Sequence, residues 1–173
     1  HDALPIYLKF IVGDESIQFY ISPMWRTRET FKNMTYPLDK TQFSWKEDPR
    51  IREQEWGHKR PVSESIRLNT ERDEYGTFYY RLPDGESAAD VYDRMSTFFE
   101  TLHRDFQKPD FPENVVIVTH GMAMRLFLMK WFHLTVEEFQ SLSNPKNCDL
   151  IILEKNQIGE YDLKTELRKN NLK

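Results

Sequence analysis

Residues 115–119 (VVIVT) constrain this chain more than any other stretch. The run is continuously apolar and β-branched, without the polar alternation of a half-exposed strand. Such runs are buried on both faces of a parallel sheet. His120-Gly121 ends it, and the following MAMRLFLMKWF carries apolar residues at helical spacing, so a strand gives way to a helix at the histidine. Parallel strands need crossover connections, usually helices.

The remaining segments supply them. Residues 16–21 (SIQFYI) read as a strand. Ser22-Pro23 reads as a helix start, because Ser caps well and Pro fits the first helical position; that helix is expected to reach about Met34. Residues 35–56 contain Pro37 and Pro49 and read as an irregular connection. A charged helix is expected over 62–75, ended by Gly76, and a turn at Leu82-Pro83-Asp84-Gly85. Ser87 and Asp90 then start a long helix. Its apolar residues Val91, Met95, Phe98, Phe99, Leu102 and Phe106 lie on one stripe. The helix after Gly121 should run to about Leu134. Thr135 and Glu138 form a second capping box, and residues 149–154 should pair with 161–167 around Gly159. The pattern predicts one α/β domain, a three-layer sandwich whose mainly parallel central sheet has helices on both faces.

Composition narrows the function. The chain is 39% hydrophobic and 14% aromatic, which excludes a disordered tail. Its formal net charge of -4 and lack of a basic stripe argue against nucleic acid as a partner. The most apolar region, 115–132, is broken by His120, Arg125 and Lys130, so no membrane span is expected. No secretory signal is visible. Cys148, the single cysteine, has no thiol to pair with in the chain and no zinc-ligand spacing around it, so a reducing, cytoplasmic setting is expected.

Three places can carry chemistry. Ser22, Arg26 and Thr30 lie four apart on one helix face near a positive N-terminus, where an arginine can grip an anion. The alternative for Arg26 is a surface ion pair; Arg28 points elsewhere. Glu53 sits in an irregular region and would be solvated unless it reaches over a pocket, where it could donate a proton. His120 stands at the carboxyl end of a strand, the place where open α/β sheets bind ligands, and Gly121 would let backbone approach closely. Its alternative is a buried histidine satisfied by a carbonyl. His58, His103 and His133 have weaker contexts. Asp90 and Asp93 fall on an exposed helix side, so no metal site is expected. Serine-hydrolase, Walker and dinucleotide motifs are absent.

The segments SPMWRTRET, IREQEWG and VIVTHG, in this order, resemble the histidine phosphatase superfamily in its phosphoglycerate-mutase-like branch. PDGESAADVYDR and FLMKWF are similar to a eukaryotic subgroup of that branch, and HDALPI resembles the stretch after its signature motif. The resemblance implies that Arg26 is a phosphate-pocket arginine and Glu53 protonates the leaving oxygen. It makes His120 the second pocket histidine, with the N–H groups of Gly121 and Met122 holding phosphate. The implied activity is phosphomonoester hydrolysis through a phosphohistidine, on a phosphorylated small molecule or phosphoprotein, without metal or cofactor. Mutase-type phosphoryl transfer and noncatalytic phosphate-ligand binding are the alternatives on the same fold. An unrelated α/β domain that offers its aromatics to a partner protein is a third.

One departure stands out. The family's nucleophile lies in an Arg-His-Gly motif ending a central strand beside the one that ends in His120, and this chain has no Arg-His-Gly. The expectation is a single domain over 1–173 lacking that N-terminal strand, with low or no activity by itself. A second omission near Ile6 and Tyr7 is expected because HDALPI reaches YLKF early.

Overall fold

The structure is a computed structural model that describes residues 3–170; His1 and Asp2, which begin HDALPI, and residues 171–173 lie outside the described residues. The order is α1 (Ala3–Val12), β1 (Ile17–Ile21), α2 (Trp25–Thr35), β2 (Phe43–Glu47), a 3-10 turn (Pro49–Ile51) and α3 (Val62–Tyr75). There follow α4 (Ala88–Phe106), β3 (Asn114–Val118), α5 (Gly121–Trp131), α6 (Val136–Ser141), β4 (Leu153–Lys155) and β5 (Tyr161–Leu163).

Strand β1 is the spine. It is buried along its whole length and pairs in parallel with β2 on one side and β3 on the other. Ile21 stands opposite both Glu47 and Val118, so the strands end together. Successive side chains point to opposite faces. Ile17, Phe19 and Ile21 pack with Leu8 and Val12 of α1 and Met34 of α2. Tyr20 points the other way, into Met95, Phe98, Phe99 and Leu102 of α4 and Ala123 of α5. The result is the expected three-layer α/β sandwich. A third apolar cluster joins α4, α5 and α6 through Val91, Met122, Leu126, Met129 and Phe139.

The second layer is also fastened by charge. The Tyr20 hydroxyl donates to Asp105 near the end of α4, and Lys46 and Lys108 pair with the same carboxylate. Burial opposes the charge on Asp105, yet bonds from Lys108, Tyr20 and Lys46 hold it down at about 2. Burial, reinforced by the carboxylate, pushes the Tyr20 phenol up. Helix α4 starts as its sequence predicts: Ser87 Oγ accepts from Asp90 N at 3.2 Å, and Ser87 N donates to Asp90 Oδ2 at 2.7 Å. Thr135 and Glu138 make the same reciprocal pair ahead of α6.

Several segments differ from the sequence reading. Part of the supposedly irregular 35–56 is strand β2, whose residues after Phe43 are exposed. An edge strand with an open face carries little apolar pattern, and its place comes from pairing to β1. Helix α1 was not foreseen; Leu4, Leu8 and Val12 set its inner face. Helix α2 begins at Trp25 with Met24 as N-cap and no side-chain cap, not at Ser22. Helix α5 stops at Trp131, short of Leu134. The strand expected at 149–154 shrinks to β4, which pairs antiparallel with β5 around Gly159 and stays outside the parallel sheet. Among the described residues, β1 is the only strand paired with β3, whose residues before Val118 are only partly buried.

The packing makes a clear prediction. Phe98 is fully buried against Tyr20, ring centres 5.3 Å apart, so Phe98→Ala should cost about 3–5 kcal/mol in urea denaturation. Phe10→Ala, at a residue 83% exposed, should change stability by less than about 0.5 kcal/mol.

Candidate functional site

The common end of β1 and β3 brings Ser22 and His120 together. Ser22 N donates to Val118 O at 2.9 Å, extending the pairing by one step beyond β1. The Ser22 hydroxyl is then fully buried, 2.7 Å from His120 Nε2. Arg26, in the first turn of α2, donates from Nε to His120 Nδ1 at 3.1 Å. A guanidinium N–H can only donate, so Nδ1 accepts and the imidazole proton sits on Nε2, donated to Ser22 Oγ. Ser22 therefore anchors the histidine and does not cap the helix. Thr30 is satisfied within α2 by the Arg26 carbonyl, and Arg28 pairs with Glu47 at 2.7 Å.

His120 is 7% exposed and caps α5 through its backbone. Burial, together with the charges of Arg26 and Arg94, pulls its pKa from the usual 6.5 to about 4. In this environment the neutral imidazole is favoured.

Glu53 reaches the same helix end. Its Oε2 lies 3.4 Å from Met122 N, and Oε1 lies 3.3 Å from Ala123 N and 3.0 Å from its own neighbour Gln54 N. A carboxylate at a helix N-terminus is electrostatically favoured. The Met122 N–H, expected to face phosphate, faces Glu53. Gly121 serves a different closeness from the one foreseen: a Cβ there would meet Asn144 Cγ at 3.1 Å. The structure thus brings Arg26, Glu53, His120, Gly121 and Met122 to the common carboxyl end of β1 and β3.

The loop carrying Glu53 is braced by residues the sequence reading passed over. Arg94 of α4 donates through Nη1 to Arg50 O at 2.5 Å and Arg52 O at 2.9 Å, and through Nη2 to Glu53 O at 3.0 Å. Its Nε and Nη2 also hold Glu86, each at 3.1 Å. Glu86 takes Arg52 at 2.6 Å and Glu55 N at 3.0 Å as well. Burial opposes the charge on Glu86, but Arg94 first and then Glu55 N and Arg52 lower its pKa. From the other side, Thr119 Oγ1 donates to Ile51 O at 2.7 Å. The seam is tight: a Cβ on Gly85 would stand 2.5 Å from Glu55 O and 3.1 Å from Gly57 N. Arg94 could have been suspected from its place on the polar side of a helix whose apolar stripe was clear; its loop partners could not.

The other titratable residues fall outside this group. Asp90 is occupied by Ser87 and Arg81, and His58 faces Asp84 on the surface at 3.5 Å. His103 stacks on Trp131. No cluster of His, Cys, Asp or Glu among the described residues is arranged to hold a metal. No helix among them is long and apolar enough to cross a membrane.

A parallel α/β sheet thus carries an arginine, a histidine and a carboxylate that converge at a helix N-terminus, an end that favours anions. The chain belongs to the histidine phosphatase superfamily (branch 1), whose profile matches residues 8–164. It is 42% identical over 155 residues to the phosphoglycerate mutase-like protein AT74 of Arabidopsis thaliana, covering 85% of this chain and 49% of that one. It is 45% identical over 132 residues to the broad-range acid phosphatase DET1 of Saccharomyces cerevisiae, covering 74% and 40%. The chain spans about half the length of the curated relatives it matches. In structure it resembles a mycobacterial glucosyl-3-phosphoglycerate phosphatase complexed with inorganic phosphate, with TM-score 0.71, 17% identity, and 95% and 82% of the two chains covered. A putative alpha-ribazole-5'-P phosphatase from Escherichia coli also superposes with TM-score 0.71, at 14% identity over 96% and 80%.

A histidine NMR titration tests the electrostatics. His120 should stay neutral until about pH 4, and Arg26→Met should move its midpoint upward. Because the folded state binds this proton less readily than the unfolded chain, stability should fall as pH drops from 6.5 towards 4.

Proposed function

We propose that the domain hydrolyses phosphomonoesters through a phosphohistidine, with Arg26, Glu53 and His120 as the site residues this chain contributes. The observation that carries this reading is the convergence of the Arg26–His120–Ser22 chain and the Glu53 carboxylate at the start of α5. An incoming phosphate dianion competes with His120 for the Arg26 guanidinium and raises the histidine's proton affinity. Once protonated, both ring nitrogens donate, and charge on the equatorial oxygens is met by two cations. Glu53 is held at its backbone by Arg94 and at its carboxylate by the amide of Gln54 and, at the helix end, those of Met122 and Ala123. In this reading it gives its proton to the leaving oxygen.

The nucleophilic histidine, in this reading, comes from a strand outside the 173 residues that pairs with the free edge of β3. The half-buried apolar run of β3 supports that, since an open, uncharged edge is a natural site for a further strand. The 173-residue chain by itself then binds phosphate without turnover, so ligand binding alone is the second reading for it.

The test is rapid quenching, with a radiolabelled phosphomonoester, of a protein that carries these residues together with the nucleophile strand. An acid-labile, base-stable label on histidine is expected, and Glu53→Gln should slow turnover by about 10²–10⁴-fold while leaving phosphate binding in place. Turnover by the 173-residue chain itself, or an acid-stable label, would overturn the proposal.

A further inference from the structure

Glu53 holds a position that its own carboxylate does not explain. Oε2 lies 3.4 Å from Met122 N, and Oε1 lies 3.3 Å from Ala123 N. Both exceed the usual N–H···O range of about 2.7–3.2 Å. The closer amide, Gln54 N at 3.0 Å, belongs to the same loop and ties it to nothing outside. Between the 3-10 turn, which ends at Ile51, and α3, which begins at Val62, the chain has no helix or strand of its own. Something outside the loop sets where Glu53 stands.

The backbone shows what does. The four consecutive carbonyls from Arg50 to Glu53 are each taken by a side chain. Arg94 takes those of Arg50, Arg52 and Glu53, and Thr119, the residue before His120, takes that of Ile51. Arg94 also gives Nε and Nη2 to Glu86. Its five guanidinium N–H groups are thereby all used. Val91, Met95 and Phe98 seat the same helix in the core, so the fork projects from a packed element onto an irregular one. Simple closure of the seam accounts for part of this set. Glu86 reaches Arg52 and Glu55 N, and the Gln54 amide reaches Glu86 O at 2.6 Å. Those bonds shut the seam without Arg94. They do not account for a guanidinium, its side chain 13% exposed, aimed at three loop carbonyls of which the last is that of Glu53.

We propose that Arg94 is a positioning residue for protonation of the leaving group: from α4, and steadied by Glu86, it fixes the loop so that the Glu53 carboxylate stands at the start of α5. The proposal rests on the phosphatase reading, which makes Glu53 the donor of the proton that the leaving oxygen takes. In it Arg94 meets neither the substrate nor the transferred phosphoryl group. A lysine keeps the charge, but its three donors sit on one atom and cannot span three carbonyls and a carboxylate. A misplacement of about 1 Å at a reacting group can cost about 10²-fold in rate, and here it falls on proton transfer alone.

Leaving-group dependence decides it, in a protein that carries these residues together with the nucleophile strand. The measured quantity is kcat/KM for ethyl phosphate, phenyl phosphate and 2,4-dinitrophenyl phosphate, because it covers the step in which the leaving group departs. Ethoxide needs a proton to leave and dinitrophenolate does not. Arg94→Lys should slow ethyl phosphate by about 10²-fold, phenyl phosphate by less and dinitrophenyl phosphate least. Glu53→Gln should give the same order, and the double variant should be no slower on ethyl phosphate than Glu53→Gln alone. An equal loss on all three substrates, or losses that multiply in the double variant, makes Arg94 structural only and overturns the proposal. If urea denaturation shows that Arg94→Lys does not fold, Glu86→Gln, which loosens one anchor of the fork, carries the test with the same order expected. If Glu53→Gln shows the order and the brace variants do not, the positioning role is lost and the phosphatase reading stands. If Glu53→Gln shows no such order, or the unaltered protein hydrolyses none of the three, the phosphatase reading falls and the positioning role falls with it.

Discussion

The in-register parallel pairing of β1 with β3 is the constraint on which the site depends. Ile21 opposite Val118 makes the two strands stop at the same level, and the next residues on each are Ser22 and, one further, His120. A slip by one residue would turn the histidine to the other face of the sheet. The register is held by burial on both sides, with Ile17, Phe19 and Ile21 in one apolar layer and Tyr20 in the other. Position at the site is thus inherited from core packing, with no local strain required of the histidine, whose backbone is extended.

Charge is distributed unevenly over this frame. The α4 layer neutralises itself: Asp105 against two lysines, Glu86 against two arginines. Around the start of α5 the balance is positive, because Arg26 and Arg125 have no carboxylate ion pair among the described residues. Glu53 is the acidic group found there, and it occupies the helix amides. The region is therefore rich in cationic groups, with one carboxylate at the helix N-terminus. This physical description fits the family to which the chain belongs.

Much of this was legible in the sequence. The two capping boxes, the α4 stripe and the strand-to-helix step at His120 were set by local rules that tertiary structure did not override. Strand β2 was illegible because FSWKE exposes most of its side chains and owes its conformation to a neighbour. Ser22 was read as a cap because serine before proline usually is; the buried imidazole offered its hydroxyl a better partner. Arg94 and Glu86 were invisible as a brace since their partners are backbone atoms more than thirty residues away in the chain for Arg94, and a segment with no periodicity. Arg125 was seen only as an interruption of an apolar run. Nothing in that run says that a charged residue would end up more enclosed than most of its neighbours.

Gly57 and Gly85 nearly touch, so residues 58–84 leave and re-enter the domain through a single narrow neck. Lengthening the exposed part of this excursion costs little, because closure penalties grow only slowly with loop size, while Phe78 ties the span to the α4–α6 cluster and the neck tolerates no side chain on Gly85. Helix α3 belongs to this span; Arg26, Glu53 and His120 do not. Changes in the exposed part of that span therefore leave the strand ends that carry Ser22 and His120 where β1 and β3 put them.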